Sequence, residues 1–116
     1  MYIDAEAPNK ILFATHNVIG YICPMIQSIK HKGLRLFFEK DDASKLPPQC
    51  VEKIRRILYR LDEAESIEDM NQVGWGLHSL SGNLKDFHSV KVDRNYRIIF
   101  RFEQGQCFDV DYVDYH

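Results

Sequence analysis

From residue 89 onwards the chain alternates, and this alternation constrains its architecture more than any other feature. Val90 and Val92 alternate with Ser89, Lys91 and Asp93. Tyr96, Ile98, Phe100 and Phe102 alternate with Arg97, Ile99 and Arg101, while Phe108, Val110 and Tyr112 alternate with Asp109, Asp111 and Val113. Successive strand side chains point to opposite faces of a sheet. Three such runs joined by short turns predict an antiparallel meander with one face buried. The register of the last hairpin follows from the same pattern. A two-residue loop at Gln104-Gly105 pairs Phe100 with Asp109 and turns Asp109 and Asp111 towards the core. A three-residue loop, Gln104-Gly105-Gln106, pairs Phe102 with Phe108, Phe100 with Val110 and Ile98 with Tyr112. Only the second keeps the buried face apolar, because a one-residue slip inverts every side chain. It is therefore the expected register, with Arg101 opposite Asp109 and Arg97 opposite Val113 on the other face.

Upstream the period changes. Residues 25–29 read as a short strand. Leu34, Phe37 and Phe38 share one helical face, which predicts a short helix over residues 33–40. Pro47 and Pro48 suit a helix start, since the first turn offers no partner for the missing N–H groups. Val51, Ile54, Ile57, Leu58, Leu61 and Ala64 then recur at helical spacing, with Lys53, Arg55, Arg56 and Arg60 off the stripe. This predicts an amphipathic helix over residues 48–64 whose basic side reads first as a solvated face. Residues 75–80 read as a strand, Trp75 as a core plug at its start, and Ser81-Gly82-Asn83 as a turn. The fold class expected is α+β: a short N-terminal strand and two helices packed on an antiparallel β-meander. A chain of 116 residues is one domain.

Residues 1–24 stand apart as an N-terminal extension to a domain spanning residues 25–116. The apolar patches of residues 11–23 are interrupted by His16 and Asn17, and Lys10 is the one basic residue before them. That lacks the basic n-region and unbroken apolar core of a secretory signal, and no segment approaches the ~20 apolar residues of a membrane span. Met25 reads either as the natural start with an upstream extension, or as following a short added strand or arm. Cys23, Cys50 and Cys107 are odd in number and widely spaced, with no CxxC pair, so neither a zinc site nor a redox motif is suggested. A reduced, cytoplasmic location is expected. The net charge of −2 gives no global signal for nucleic acid. However, Asp62, Glu63, Glu65, Glu68 and Asp69 form one acidic cluster. Without it the domain carries 14 Lys or Arg against 10 Asp or Glu, which leaves room for a local basic face.

Four strings, in order, resemble one known family. Ile26-Gln27-Ser28-Ile29-Lys30-His31-Lys32-Gly33-Leu34 resembles the opening of HigB-type toxins of the RelE/ParE superfamily, where a strand ends in a K-H-K-G-L turn. Leu77-His78-Ser79-Leu80-Ser81-Gly82 resembles their L-H-P-L-K-G segment, and Asn95-Tyr96-Arg97-Ile98-Ile99-Phe100 resembles N-W-R-I-T-F. Asp114-Tyr115-His116 resembles their D-Y-H ending. The resemblance covers residues 25–116 and implies a RelE-like fold. It implies a toxin of a type II toxin–antitoxin system that cleaves messenger RNA on the ribosome, with no metal or other cofactor. The implied partner is a HigA-type helix-turn-helix antitoxin, through which alone operator DNA is reached, and no membrane is involved. Ser79 and Ser81 stand where the family carries proline and lysine. With Ser81 in the lysine's place, RNA contacts fall to Lys85, Lys91 and Arg94. The same departure keeps a second reading open, a catalytically weak binding and co-repressor module.

RNA can be cut by its own 2′-hydroxyl if a base takes that proton, a cation steadies the phosphorane and an acid protonates the leaving 5′-oxygen. Histidine suits proton transfer, and the arginine fork suits the phosphorane. The resemblance assigns proton transfer to His78 and His116, charge stabilisation to Arg97, orientation of a histidine to Asp114, and base stacking or phosphate contact to Tyr115. Without the resemblance, His78 reads as a polar strand end, Arg97 as a cross-strand surface arginine, and Asp114 and His116 as solvated terminal residues. A metal site from His78, His88, Asp114 and His116 is a poorer reading, because no pair has helical ligand spacing. Alternation places Tyr115 on the face of Arg97 and Asp114 and His116 on the other, so convergence requires a bend after Val113. Since the recognisable pattern begins at Met25, deleting residues 1–24 is expected to leave the melting temperature nearly unchanged. A loss of several degrees in a thermal melt would show that the segment packs into the fold.

Overall fold

The computed structural model describes residues 25–114. The expectations for residues 1–24, Cys23 among them, and for Tyr115 and His116 lie outside the described residues. Helix α1, Lys32–Lys40, is capped by His31, whose Nδ1 accepts from the Leu34 amide at 3.1 Å. It ends at Asp41, whose left-handed backbone (φ 55°) closes the last turn. Helix α2, Val51–Glu63, follows a separate 3-10 turn at Pro48–Cys50, so the helix expected over residues 48–64 is divided near its start. Ile54, Ile57, Leu58 and Leu61 form its buried stripe, as the spacing predicts. None of the described helices is long and apolar enough to cross a membrane.

Four antiparallel strands follow in the order of the chain: β1 (His78–Ser79), β2 (Phe87–Lys91), β3 (Tyr96–Glu103) and β4 (Gln106–Asp114). Val90, Ile98, Phe100 and Val110 are fully buried and join Leu34, Ile54, Ile57, Leu61, Met70 and Trp75 in one core. The expected α+β architecture of helices on a meander is thus the one observed.

Three further elements differ from expectation. The strand expected over residues 75–80 shrinks to two residues, because Gly74 (φ 84°) and Gly76 (φ 56°) adopt left-handed conformations that no extended strand contains. The strand expected over residues 25–29 appears as two separate parallel bridges to β4, Ile26 with Cys107 and Ile29 with Val110. The β3–β4 hairpin is a composite. Its tip is the two-residue turn, with Glu103 opposite Gln106, and Gln104 (φ 52°) and Gly105 (φ 77°) both left-handed. Phe102 therefore faces Cys107 and Arg101 faces Phe108, not the expected Phe108 and Asp109. A β-bulge restores the step: Asp109 takes φ 56°, and beyond it Ile98 pairs with Tyr112 and Arg97 with Val113, as expected. The extra residue lets a tight turn coexist with an apolar buried face. Arg101 still reaches Asp109, with Nε 3.0 Å from the carboxylate.

His88 lies against Phe100, ring centroids 6.1 Å apart, and among the described residues its buried Nδ1 has no hydrogen-bond partner. Burial lowers its pKa from the usual 6.5, against a weaker opposing pull from Glu68. The fold therefore binds the neutral ring better than the imidazolium. The resulting stability is fully present above about pH 6.5 and falls as the pH drops below that value, until the lowered folded pKa is passed. Urea midpoints of the wild type should fall between pH 7 and pH 5, above the range in which carboxylates with lowered pKa values such as Asp93 are lost. His88→Phe should flatten that window; equal falls for the two proteins would exclude His88 as the cause.

Candidate active site

Directly opposed residues of neighbouring antiparallel strands share a face. One row across the sheet is His78, Ser89, Ile99 and Asp111, and the next is Lys91, Arg97 and Val113. Both rows lie on the face away from Val90, Ile98, Val110 and Tyr112, hence away from the helices. Arg97 Nη1 reaches Ser89 Oγ at 2.9 Å and the Gly76 carbonyl at 3.4 Å. His78 Nδ1 lies 3.2 Å from the same Gly76 oxygen. Two residues nearly twenty positions apart thus share one anchor. A carbonyl only accepts, so this contact places a proton on Nδ1 and leaves Nε2 to take a proton when the ring is neutral, or to give one when it is charged.

The anchor is itself pinned. Trp75 is buried, as its reading as a core plug requires. Its amide donates to Gln72 O at 3.0 Å, and its carbonyl accepts from the Lys91 amide at 2.6 Å. Lys53 Nζ donates to Gly74 O at 3.3 Å. Burial lowers the Lys53 pKa, and the positive charges of Lys91 and Arg56 lower it further. Lys53, Arg56 and Lys91 are therefore electrostatic neighbours on a chain of net charge −2, with Asp93 acting on Lys53 in the opposite sense, and Lys91 is the strand partner of Arg97. Arg55 is engaged elsewhere, on Asp41 at 3.0 Å.

Of the residues expected in the site, the structure gathers His78, Arg97 and Lys91. Lys85 and Arg94 are exposed at opposite ends of β2, Lys85 after the helical turn Gly82–Leu84 and Arg94 in the turn to β3. That second turn is tied by Asp93, whose carboxylate accepts from the amides of Asn95 (2.9 Å) and Tyr96 (2.8 Å). These bonds hold the Asp93 carboxyl below the usual carboxylate range. Asp114 pairs with Tyr96, one residue beyond the partner of Arg97, so the register places it on the other face, as alternation predicts. Tyr115 and His116 lie outside the described residues. Sequence reasoning missed Ser89 and the Gly76 carbonyl. Neither carries a signal until the register is known, for one is a lone serine in a strand and the other is main chain.

Two helices on a four-stranded antiparallel sheet, with a histidine, an arginine and a lysine gathered on the face away from the helices, have the architecture of a RelE-like toxin. Residues 27–116 match the family described as the RelE-like toxin of the type II toxin–antitoxin system HigB, and the chain belongs to that family. It is similar to Endoribonuclease HigB of Proteus vulgaris, 41% identical over 92 residues that cover 79% of this chain and 100% of the relative. It is also similar to Toxin HigB-1 of Vibrio cholerae, 34% identical over 94 residues, with 79% and 98% covered.

A Cβ on Gly76 would meet nothing nearer than Arg97 Nη2 at 3.9 Å, so space does not forbid a side chain there. The backbone does, at φ 56°. Gly76→Ala should cost about 1–2 kcal/mol and lower the melting temperature by several degrees; an unchanged melt would contradict the left-handed conformation.

Proposed function

We propose that this chain is a metal-independent endoribonuclease, the toxin of a type II toxin–antitoxin pair, which cleaves messenger RNA on the translating ribosome. The observation that carries the reading is the convergence of His78 and Arg97 on the Gly76 carbonyl, on the sheet face away from the helices. The similarity to a relative named an endoribonuclease supports it. In this reading His78 Nε2 exchanges a proton with the reacting RNA, and Arg97 stabilises the charge that develops on the phosphorane. The 2′-hydroxyl attacks its own phosphate, the P–O bond to the 5′-oxygen breaks, and the proton lost by the nucleophile is balanced by one given to the leaving group. In the same reading His116 is the second proton-transfer group, Asp114 orients an imidazole and Tyr115 stacks on a base, which for Asp114 requires the end of β4 to turn away from the face on which its pairing with Tyr96 places it. Lys91, Lys85 and Arg94 contact the RNA backbone. A HigA-type helix-turn-helix antitoxin restrains the enzyme in the cytoplasm, and residues 1–24 take no part.

Ser81, exposed where the family carries lysine, favours a second reading, a weakly catalytic co-repressor. Induced expression in bacteria separates the two: the enzyme arrests growth and leaves cut transcripts, and the co-repressor does neither. Products should end in a 2′,3′-cyclic or 3′-phosphate and a 5′-hydroxyl, and 5′-phosphate ends would point to metal-activated water instead. Arg97→Ala should lower the cleavage rate ~10²–10³-fold, the usual cost of one such positioned charge. Removal of His116 should act similarly. Arg101→Ala, whose side chain is engaged by Asp109 and Glu103, is the control and should cleave normally. A fully active chain ending at Tyr115 would remove His116 from the mechanism.

A further inference from the structure

We infer that Ser89 and the Gly76 carbonyl are positioning groups that fix the plane of the Arg97 guanidinium and the ring of His78 for RNA cleavage. The inference rests on the enzymatic reading above and adds two groups to it. Ser89 is 0% exposed, beside Phe87 and Ile99, which are themselves buried on the same face. A buried hydroxyl weakens a fold unless it is hydrogen-bonded, so alanine there would serve packing as well or better. Ser89 Oγ instead accepts from Arg97 Nη1 at 2.9 Å.

The geometry of that bond matters more than its strength. Nη1 carries two N–H groups. One points to Ser89 Oγ on β2 and the other to Gly76 O, in the segment ahead of β1. Two acceptors on separate segments define the orientation of a planar group, which one acceptor alone does not. The fork is then held in one plane before any substrate arrives, which spares the reorganisation that a mobile cation requires. The Gly76 oxygen also holds His78 Nδ1, and Ser89 is the residue directly opposite His78 in the sheet. The imidazole and the guanidinium therefore share one anchor. Ser89 and Gly76 touch no substrate in this arrangement and act through Arg97 and His78.

Single-turnover cleavage of a ribosome-bound message by the full chain tests this, with wild type, Ser89→Ala, Arg97→Lys and the double variant compared. Melting temperature and ribosome affinity are recorded for each. Ser89→Ala should slow cleavage about 10-fold, as expected for loss of a hydrogen bond to a charged group, with melting and ribosome affinity near wild type. In the Arg97→Lys background, where an ammonium cannot reproduce the planar fork, Ser89→Ala should slow cleavage further by less than about 2-fold. An unaffected Ser89→Ala, or the same loss in both backgrounds, overturns the inference. Should Ser89→Ala melt far below wild type, Ser89→Thr decides, since it keeps a hydroxyl on the same carbon. Recovery of cleavage supports positioning, and a loss equal to that of Ser89→Ala overturns it. A wild type that does not cleave overturns the enzymatic reading and this inference with it, whereas a cleaving wild type beside an unaffected Ser89→Ala overturns this inference alone.

Discussion

Asp109 sits at φ 56°, a conformation that costs an ordinary residue about 1–2 kcal/mol and that aspartate tolerates better than most. Its surroundings hold it there. The Arg101 guanidinium grips its carboxylate, with Nε at 3.0 Å, and Ser28 Oγ accepts from its amide at 2.8 Å. The residue inserted at this point lets the tip of the hairpin turn in two residues while Val110 and Tyr112 still face the helices. Without it, every side chain from Val110 onwards would change sides. The pairing of Arg97 with Val113, the stacking of Tyr112 on Tyr96 and the position of Asp114 all descend from that one step.

The elements with a strong period were legible in the sequence, and the ones decided by a single backbone angle were not. The α2 stripe and the meander follow from spacing because burial enforces it over many residues at once. The inner half of the last hairpin was legible for the same reason, since an apolar face selects its register. The bulge was not, because a left-handed aspartate is selected by partners distant in the chain, above all Ser28. Strand β1 was overestimated because Trp75 and Leu77 carry an extended-looking pattern while the glycines between and before them turn the chain. Resemblance supplied His78 and Arg97 as candidates, yet their common anchor is a main-chain carbonyl, which no side-chain pattern encodes.

The electrostatics follow the same division. A net charge of −2 describes the whole chain, and acidic residues cluster at the end of α2 and just beyond it. Around Lys53 the balance reverses, since Lys91 and Arg56 lie close enough to depress its ammonium, and Lys91 stands opposite Arg97. Composition averages over such a patch. Only register and helix docking show that lysines from α2 and β2 meet.

The parallel bridges between the start of the described chain and β4 join residues far apart in sequence, as Ser28 and Asp109, 81 residues apart, show. Closing so large a loop is entropically expensive and is compensated only once the intervening chain is ordered. During synthesis the segment around Ile26 emerges early, whereas its strand partner β4 is made last. The bridges of residues 26–29 to the outer edge of β4 therefore close only once β4 has been made, although Asp62 of α2 can hold the Ile26 amide before then. The docked segment then occupies the main-chain groups of Cys107 and Val110 that another molecule's strand would otherwise seek. Closing the bridges and covering that edge against aggregation are thus one and the same event.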